Sequence, residues 1–121
     1  MVVNKKIVVI DDEPGICDIL RKLLEREGYV VMTSLVPQEG LKLVEDESPG
    51  VVLLDIKMPG MDGVEVLSKI KEKNKDIAVI MITGYGNIET AMESMKLGAY
   101  DYITKPFDLD FIKNLVARCL K

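Results

Sequence analysis

The chain has 121 residues, about the length of one domain. Sixteen Lys and Arg against twenty Asp and Glu leave a net charge of −4 with no basic run, which excludes a nucleic-acid binder held by phosphate neutralisation. At 48% hydrophobic and 30% charged residues the composition is that of a folded domain. The absence of histidine excludes catalytic His–Asp couples, His-based zinc sites and phosphohistidine chemistry within the chain.

Short apolar runs alternate with amphipathic stretches from end to end. A first strand is predicted over residues 6–10, followed by a helical stripe of Ile16, Ile19/Leu20 and Leu23/Leu24 that Gly28 terminates. A second strand over 30–34 leads to a shorter stripe, Leu41 and Val44, closed by Ser48-Pro49-Gly50. The third strand, 51–54, precedes the stripe Val64, Leu67 and Ile70. The fourth, 77–82, precedes Ile88, Ala91/Met92 and Met95, which Gly98 ends. The fifth, 100–103, precedes Ile112, Leu115/Val116 and Cys119. Strand runs of four to six apolar residues without alternation suit a parallel sheet buried on both faces, and each stripe carries charge on its other side. Right-handed crossovers then give a single doubly wound α/β domain of five βα units over residues 1–121. Cys17 and Cys119 are too few and too far apart for a metal knuckle and read as small buried thiols within helices. The longest apolar run, 77–82, is far short of the ~20 residues that cross a bilayer, and the N-terminal run is too short for a secretory segment. A soluble, cytoplasmic protein without membrane contact is expected.

In such a sheet ligands bind outside the carboxyl ends of the strands. Asp11, Asp12 and Glu13 follow the first run, Asp55 the third, Thr83-Gly84 the fourth, and Thr104-Lys105-Pro106-Phe107 the fifth. Each has a structural alternative. Asp12 or Glu13 ahead of Pro14 can cap a helix, Asp55 and Thr83 can begin turns, and Lys105 can be a solvated lysine. Capping needs one acid, however, not two adjacent acids and a third across the sheet. At an effective dielectric of ~20, two carboxylates ~4–5 Å apart repel by about 3–4 kcal/mol, so such a cluster is expected to hold a cation. All-oxygen ligands select a hard ion, of which Mg²⁺ is the natural candidate. A metal with open positions beside a free carboxylate can also bind a phosphoryl group, to which Thr83 would donate a hydrogen bond and Lys105 a positive charge.

Asp11-Asp12, Asp55, Thr83 and Lys105-Pro106, in this order at the ends of strands one, three, four and five, resemble the receiver domain of bacterial two-component response regulators. The resemblance covers the whole chain. It implies a flavodoxin-like five-stranded parallel sheet of order 2-1-3-4-5. It implies that Asp55 is the phosphoacceptor, served by a sensor histidine kinase or phosphotransfer protein. Asp12 and Asp55 would hold Mg²⁺ by their carboxylates, Lys57 through its backbone carbonyl, and Asp11 through a water. Thr83 and Lys105 would hold the phosphoryl oxygens, Lys105-Pro106 would be cis, and Tyr102 would be a switch aromatic that follows Thr83 inward. The stretch Thr83-Gly84-Tyr85-Gly86, with Ala91, Lys96, Gly98-Ala99-Tyr100-Asp101-Tyr102 and Lys105-Pro106-Phe107, looks most like receivers of nitrogen-regulator-type activators. The chain thus reads as a stand-alone regulator or as an N-terminal receiver of a larger protein, a switch for a downstream effector rather than an enzyme.

In relatives the first helix docks the kinase, which makes Gly15, Asp18 and Lys22, on one helical face, with Ile16 beside them, the candidates for partner selection. Asp18 and Lys22 can equally be a solvated i, i+4 pair. The fourth helix, fifth strand and fifth helix often form a phosphorylation-dependent dimer in the family. Ile88, Met92 and Met95 fall there, and their spacing reads first as core. Bulky Tyr85 is expected to shield the acyl phosphate from water. Three other readings fit these residues less well. A haloacid-dehalogenase-type phosphatase would carry Asp where Lys57 stands, and nucleotide or dinucleotide binding would need glycine-rich loops that are missing. The third is a phosphorylation-independent docking module with the receiver fold, which usually lacks one of the acids or the lysine.

Overall fold

In the computed structural model residues 4–84 and 87–120 are described. Tyr85 and Gly86, and with them the shielding role expected of Tyr85, lie outside those residues. The elements alternate in chain order as β1 (Lys6–Ile10), α1 (Pro14–Arg26), β2 (Val30–Ser34), α2 (Pro37–Glu47), β3 (Val51–Asp55), α3 (Gly63–Lys73), β4 (Ala78–Thr83), α4 (Ile88–Lys96), β5 (Asp101–Thr104) and α5 (Leu109–Cys119). The strands form one sheet in the order β2-β1-β3-β4-β5, every pair parallel. This is the doubly wound order expected.

Alternation along each strand divides the apolar residues between two cores, which explains why the central strands β1, β3 and β4 read as near-continuous apolar runs. Val8, Ile10, Val52, Leu54, Val79 and Met81 face one side and pack with Val44 of α2 and with Val64, Val66, Leu67 and Ile70 of α3. Ile7, Val9, Val51, Leu53, Ile80, Ile82 and Ile103 face the other and pack with Cys17, Leu20 and Leu24 of α1 and Ile112, Leu115 and Val116 of α5. Burying each Leu or Ile stabilises by about 1.5–3 kcal/mol, so the central strands β1, β3 and β4 anchor the domain.

Helix ends follow local chemistry. Pro14 and Pro37 open α1 and α2, while Asp62, Asn87 and Asp108 cap α3, α4 and α5 through backbone N–H groups of their first turns. Gly28 and Gly98 end α1 and α4 at φ of +92° and +99°. Ladder pairing carries β3 and β4 one residue past their apolar runs, pairing Asp55 with Ile82 and Thr83 with Thr104, so both polar residues are the last of their strands.

The expectation for α4 is overturned. Ile88, Met92 and Met95 are 77%, 56% and 48% exposed, and the only buried residue of α4 is Ser94. The stripe faces outward because the inner side of α4, against α3 and β5, is taken by Ser94 and partly by Ala91. Cys17 is buried as expected, and Cys119 only partly. No described helix is long and apolar enough to cross a membrane.

Candidate functional site

The carboxyl ends of β1, β3, β4 and β5 converge on one cleft of about 610 Å³, lined among others by Asp12, Glu13, Asp55, Thr83 and Lys105. Oxygens of Asp11, Asp12 and Asp55 lie within 4.8 Å of one another. Asp11 is locked in place. Its backbone N–H donates to the Ser34 carbonyl at 3.1 Å, and its Oδ1 accepts the Glu13 N–H at 2.9 Å. Its Oδ2 meets Lys105 Nζ at 2.9 Å. Asp55 is 5% exposed, and its Oδ2 stands 3.7 Å from the same ammonium.

The Lys105 backbone N–H donates to the Thr83 carbonyl at 2.8 Å, which ties the end of β5 to that of β4, and the Lys105-Pro106 peptide is cis, as the resemblance implies. Thr83 itself is fully buried at the cleft wall. Lys57 is exposed, lines the cleft, and its backbone helps to hold the Asp55 carboxylate charged. Immediately beyond it the chain turns hard into α3. The Gly63 N–H donates to the Ile56 carbonyl at 2.7 Å, and a Cβ on Gly63 would collide with the Asp55 carbonyl oxygen and Ile56 Cα. Only glycine permits this approach.

Charge crowding shows in the proton affinities. Burial first, and then the Asp11 charge, push the Asp55 carboxyl up to about 6, against the opposing pull of Lys105. Burial likewise raises Asp11 above the ordinary carboxylate value, although the Glu13 N–H and Lys105 counteract it. For Lys105 burial favours the neutral amine, but bonds to Glu13 and Asp11 outweigh that and keep it firmly ammonium. Cys17, whose Sγ donates to the Asp11 carbonyl at 3.3 Å, is pushed to about 11 by burial and by Asp11, so it stays a thiol behind the site.

The donor set fits a hard divalent cation. It consists of three carboxylates from two strand ends, with neither imidazole nor an available thiolate, and its own repulsion is relieved by positive charge. Receiver domains in general use Mg²⁺ in an acidic pocket of this kind.

The remaining sequence candidates lie around the cleft. Tyr102 is half-buried, and its hydroxyl lies 3.2 Å from Thr90 Oγ1; Thr90 in turn bonds the α4 cap residue Asn87 at 2.8 Å. Gly15, Asp18 and Lys22 ride on α1, with Ile16 at the cleft mouth. Asp18 pairs with Lys22 at 3.0 Å and with Arg21 at 2.7 Å, so the solvated charge pair exists. Glu13 occupies the N-cap position of α1, but its side chain caps nothing. It meets Lys105 Nζ at 2.7 Å instead, from 92 residues away, a pairing that no local pattern in the sequence signals.

Comparison with known proteins agrees with this geometry. Residues 7–117 match the family described as the response regulator receiver domain. Over 117 residues the chain is 40% identical to sporulation initiation phosphotransferase F of Bacillus subtilis, covering 97% of this chain and 94% of that one. It is 39% identical to the nitrogen assimilation regulatory protein NtrX of Azorhizobium caulinodans, but spans only 26% of that longer protein. Among solved structures, a CheY-like receiver domain protein from Methanospirillum hungatei superposes with a TM-score of 0.90 at 35% identity, covering 96% of this chain and 94% of that chain. The beryllofluoride-activated NtrC4 receiver domain dimer gives 0.91 at 36%, covering 96% of each chain. Sheet order, the convergent strand ends and these matches together place the chain in the response regulator receiver domain family of two-component systems, whose members are phosphorylation-based signalling switches rather than conventional enzymes.

Proposed function

We propose that Asp55 accepts a phosphoryl group from a phosphohistidine on a sensor kinase or phosphotransfer protein. The observation that carries this reading is the buried Asp55 carboxylate, at a strand end, with two further carboxylates within 4.8 Å and a lysine at 3.7 Å. An Asp55 oxygen attacks phosphorus in line as the bond from phosphorus to the partner's imidazole nitrogen breaks, its electron pair returning to the ring. Hydrolysis later releases phosphate and restores the carboxylate. Asp11, Asp12, Asp55 and the Lys57 carbonyl are the residues to hold Mg²⁺, which supplies positive charge against the transferred oxygens. The Thr83 hydroxyl and the Lys105 ammonium take those oxygens, so catalysis is positioning plus electrostatics.

The product adds about −1.5 to −2 charge units to an acidic pocket, drawing Thr83 and Lys105 inward. Tyr102 then leaves Thr90, which frees Thr90 and the Asn87 cap of α4 to rearrange. The outward face of α4, with Ile88, Met92 and Met95, becomes the surface for a dimer or a downstream effector. The face of α1 that carries Gly15, Ile16, Asp18 and Lys22 receives the phosphoryl donor protein. No direct nucleic-acid contact is assigned to this domain.

Intact-mass spectrometry after incubation with acetyl phosphate tests the reading. A gain of one phosphoryl mass that requires Mg²⁺ and is absent in Asp55→Asn is expected. No adduct under any condition, including rapid quenching, would turn the reading towards a docking module that works without phosphorylation.

A further inference from the structure

Lys105 has three N–H bonds to give, and the structure shows where they go before any phosphoryl group arrives. Glu13 Oε2 is nearest at 2.7 Å, Asp11 Oδ2 follows at 2.9 Å, and Asp55 Oδ2 is beyond hydrogen-bond reach at 3.7 Å. The two close partners differ in kind. The Asp11 side chain is 3% exposed and its other oxygen is tied to the Glu13 N–H, so it cannot swing away. The Glu13 side chain is 59% exposed, and although it stands at the N-cap of α1 it makes no capping bond. Its carboxylate has one described partner, Lys105.

We propose that Glu13 is a positioning residue for the phosphoryl transfer assigned above. It holds the Lys105 ammonium towards the rim of the cleft in the resting protein, and its release lets Lys105 close on the group at Asp55. The proposal rests on that assignment of Asp55. Gripping a phosphoryl oxygen requires Lys105 to exchange one of its existing bonds. The bond to Glu13 is the one to exchange, because an exposed carboxylate regains water as it leaves whereas buried Asp11 does not. Glu13 therefore sets a threshold for transfer without touching the reacting atoms, and it does so from the first turn of α1, where a docked partner could draw it away.

The test follows labelling by acetyl phosphate with saturating Mg²⁺ in wild type, Glu13→Gln and Glu13→Asp, with thermal unfolding as the control. Glu13→Gln keeps the length but removes the charge. Glu13→Asp keeps the charge but is one methylene too short to hold Lys105 at the rim. Both are expected to label about fivefold faster than wild type, the span of an exposed ion pair of up to ~1 kcal/mol, with the gain in the maximal rate and a melting temperature lower by no more than about 3 °C. If Glu13→Gln accelerates while Glu13→Asp matches wild type, Glu13 acts by repelling the anionic donor and the positioning role is overturned. Wild-type rates in both variants, or slower ones, overturn it as well. A wild-type protein that takes no label refutes the assignment of Asp55 and this proposal with it, whereas labelled wild type with unresponsive variants refutes this proposal alone.

Discussion

Replacing Asp55 by Asn should make the metal-free protein more stable, and the size of the gain follows from the crowding at the strand ends. The Asp55 carboxyl titrates near 6 in the fold against an ordinary 3.8, a difference of about two units. At about 1.4 kcal/mol per unit, keeping Asp55 ionised in the fold costs about 3 kcal/mol at neutral pH. The side chain is 6% exposed, so solvent screening removes little of this. Because the folded pKa is the higher one, stabilisation from the protonated carboxyl is complete below about pH 4 and is lost as pH rises through 6. Asn, which carries no charge at any pH, keeps it throughout. For 121 residues, 3 kcal/mol corresponds to a melting-temperature gain of about 10 °C. Calorimetry in EDTA should therefore show the two proteins melting together at pH 3.5 and separated by about 10 °C at pH 7.5. Saturating Mg²⁺ should narrow the gap by stabilising wild type alone. Equal melting temperatures in EDTA at pH 7.5, or a gap that does not depend on pH, would refute charge crowding as the source of the shift.

Mg²⁺ at a hundredfold excess over its dissociation constant should stabilise wild type by about 2.7 kcal/mol, and Asp12→Asn should remove most of that effect in the same thermal scan. Ser94→Ala should raise stability by about 1–2 kcal/mol, read as a higher urea midpoint with unchanged slope, because the fully buried Ser94 hydroxyl has no hydrogen-bond partner among the described residues. A lower midpoint would mean that the hydroxyl is satisfied. Gly63→Ala should cost about 1–3 kcal/mol and weaken Mg²⁺ binding, since the added methyl group meets the backbone of Asp55 and Ile56. Calorimetry with Mg²⁺ titration checks both effects, and wild-type values for either would show that the loop gives way.

The sheet was legible because apolar runs in a parallel sheet report burial on both faces, a signal that β1, β3 and β4 carry fully and the edge strands β2 and β5, with exposed Val30 and polar Asp101, carry only in part. The site was legible for a related reason. Asp11, Asp55 and Thr83 break their apolar runs at the carboxyl ends, where a doubly wound sheet opens its cleft. Helical period alone misled at α4. It identifies one apolar face but not which side of the helix meets the sheet, and here the inward positions belong to the smaller Ser94 and Ala91. Glu13 reads locally as a possible cap and does hold the N-cap position of α1, but its side chain goes to Lys105, which arrives through the fold and which rules that weigh only chain neighbours do not register.

The junction at Gly63 also has a mechanical meaning. With the Gly63 N–H clamped to the Ile56 carbonyl and no room there for a methyl group, the end of β3 and the start of α3 form a stiff abutment. Beside α3, on the same face of the sheet, α4 is seated on a single buried serine, and a hollow of about 420 Å³ opens between its first turn and the loop after β3. A load at Asp55 therefore meets one rigid wall and one compliant wall, and displacement runs to the compliant side. In hydrogen exchange, amides of α4 should open well before those of α3, with phosphorylation changing the first and sparing the second.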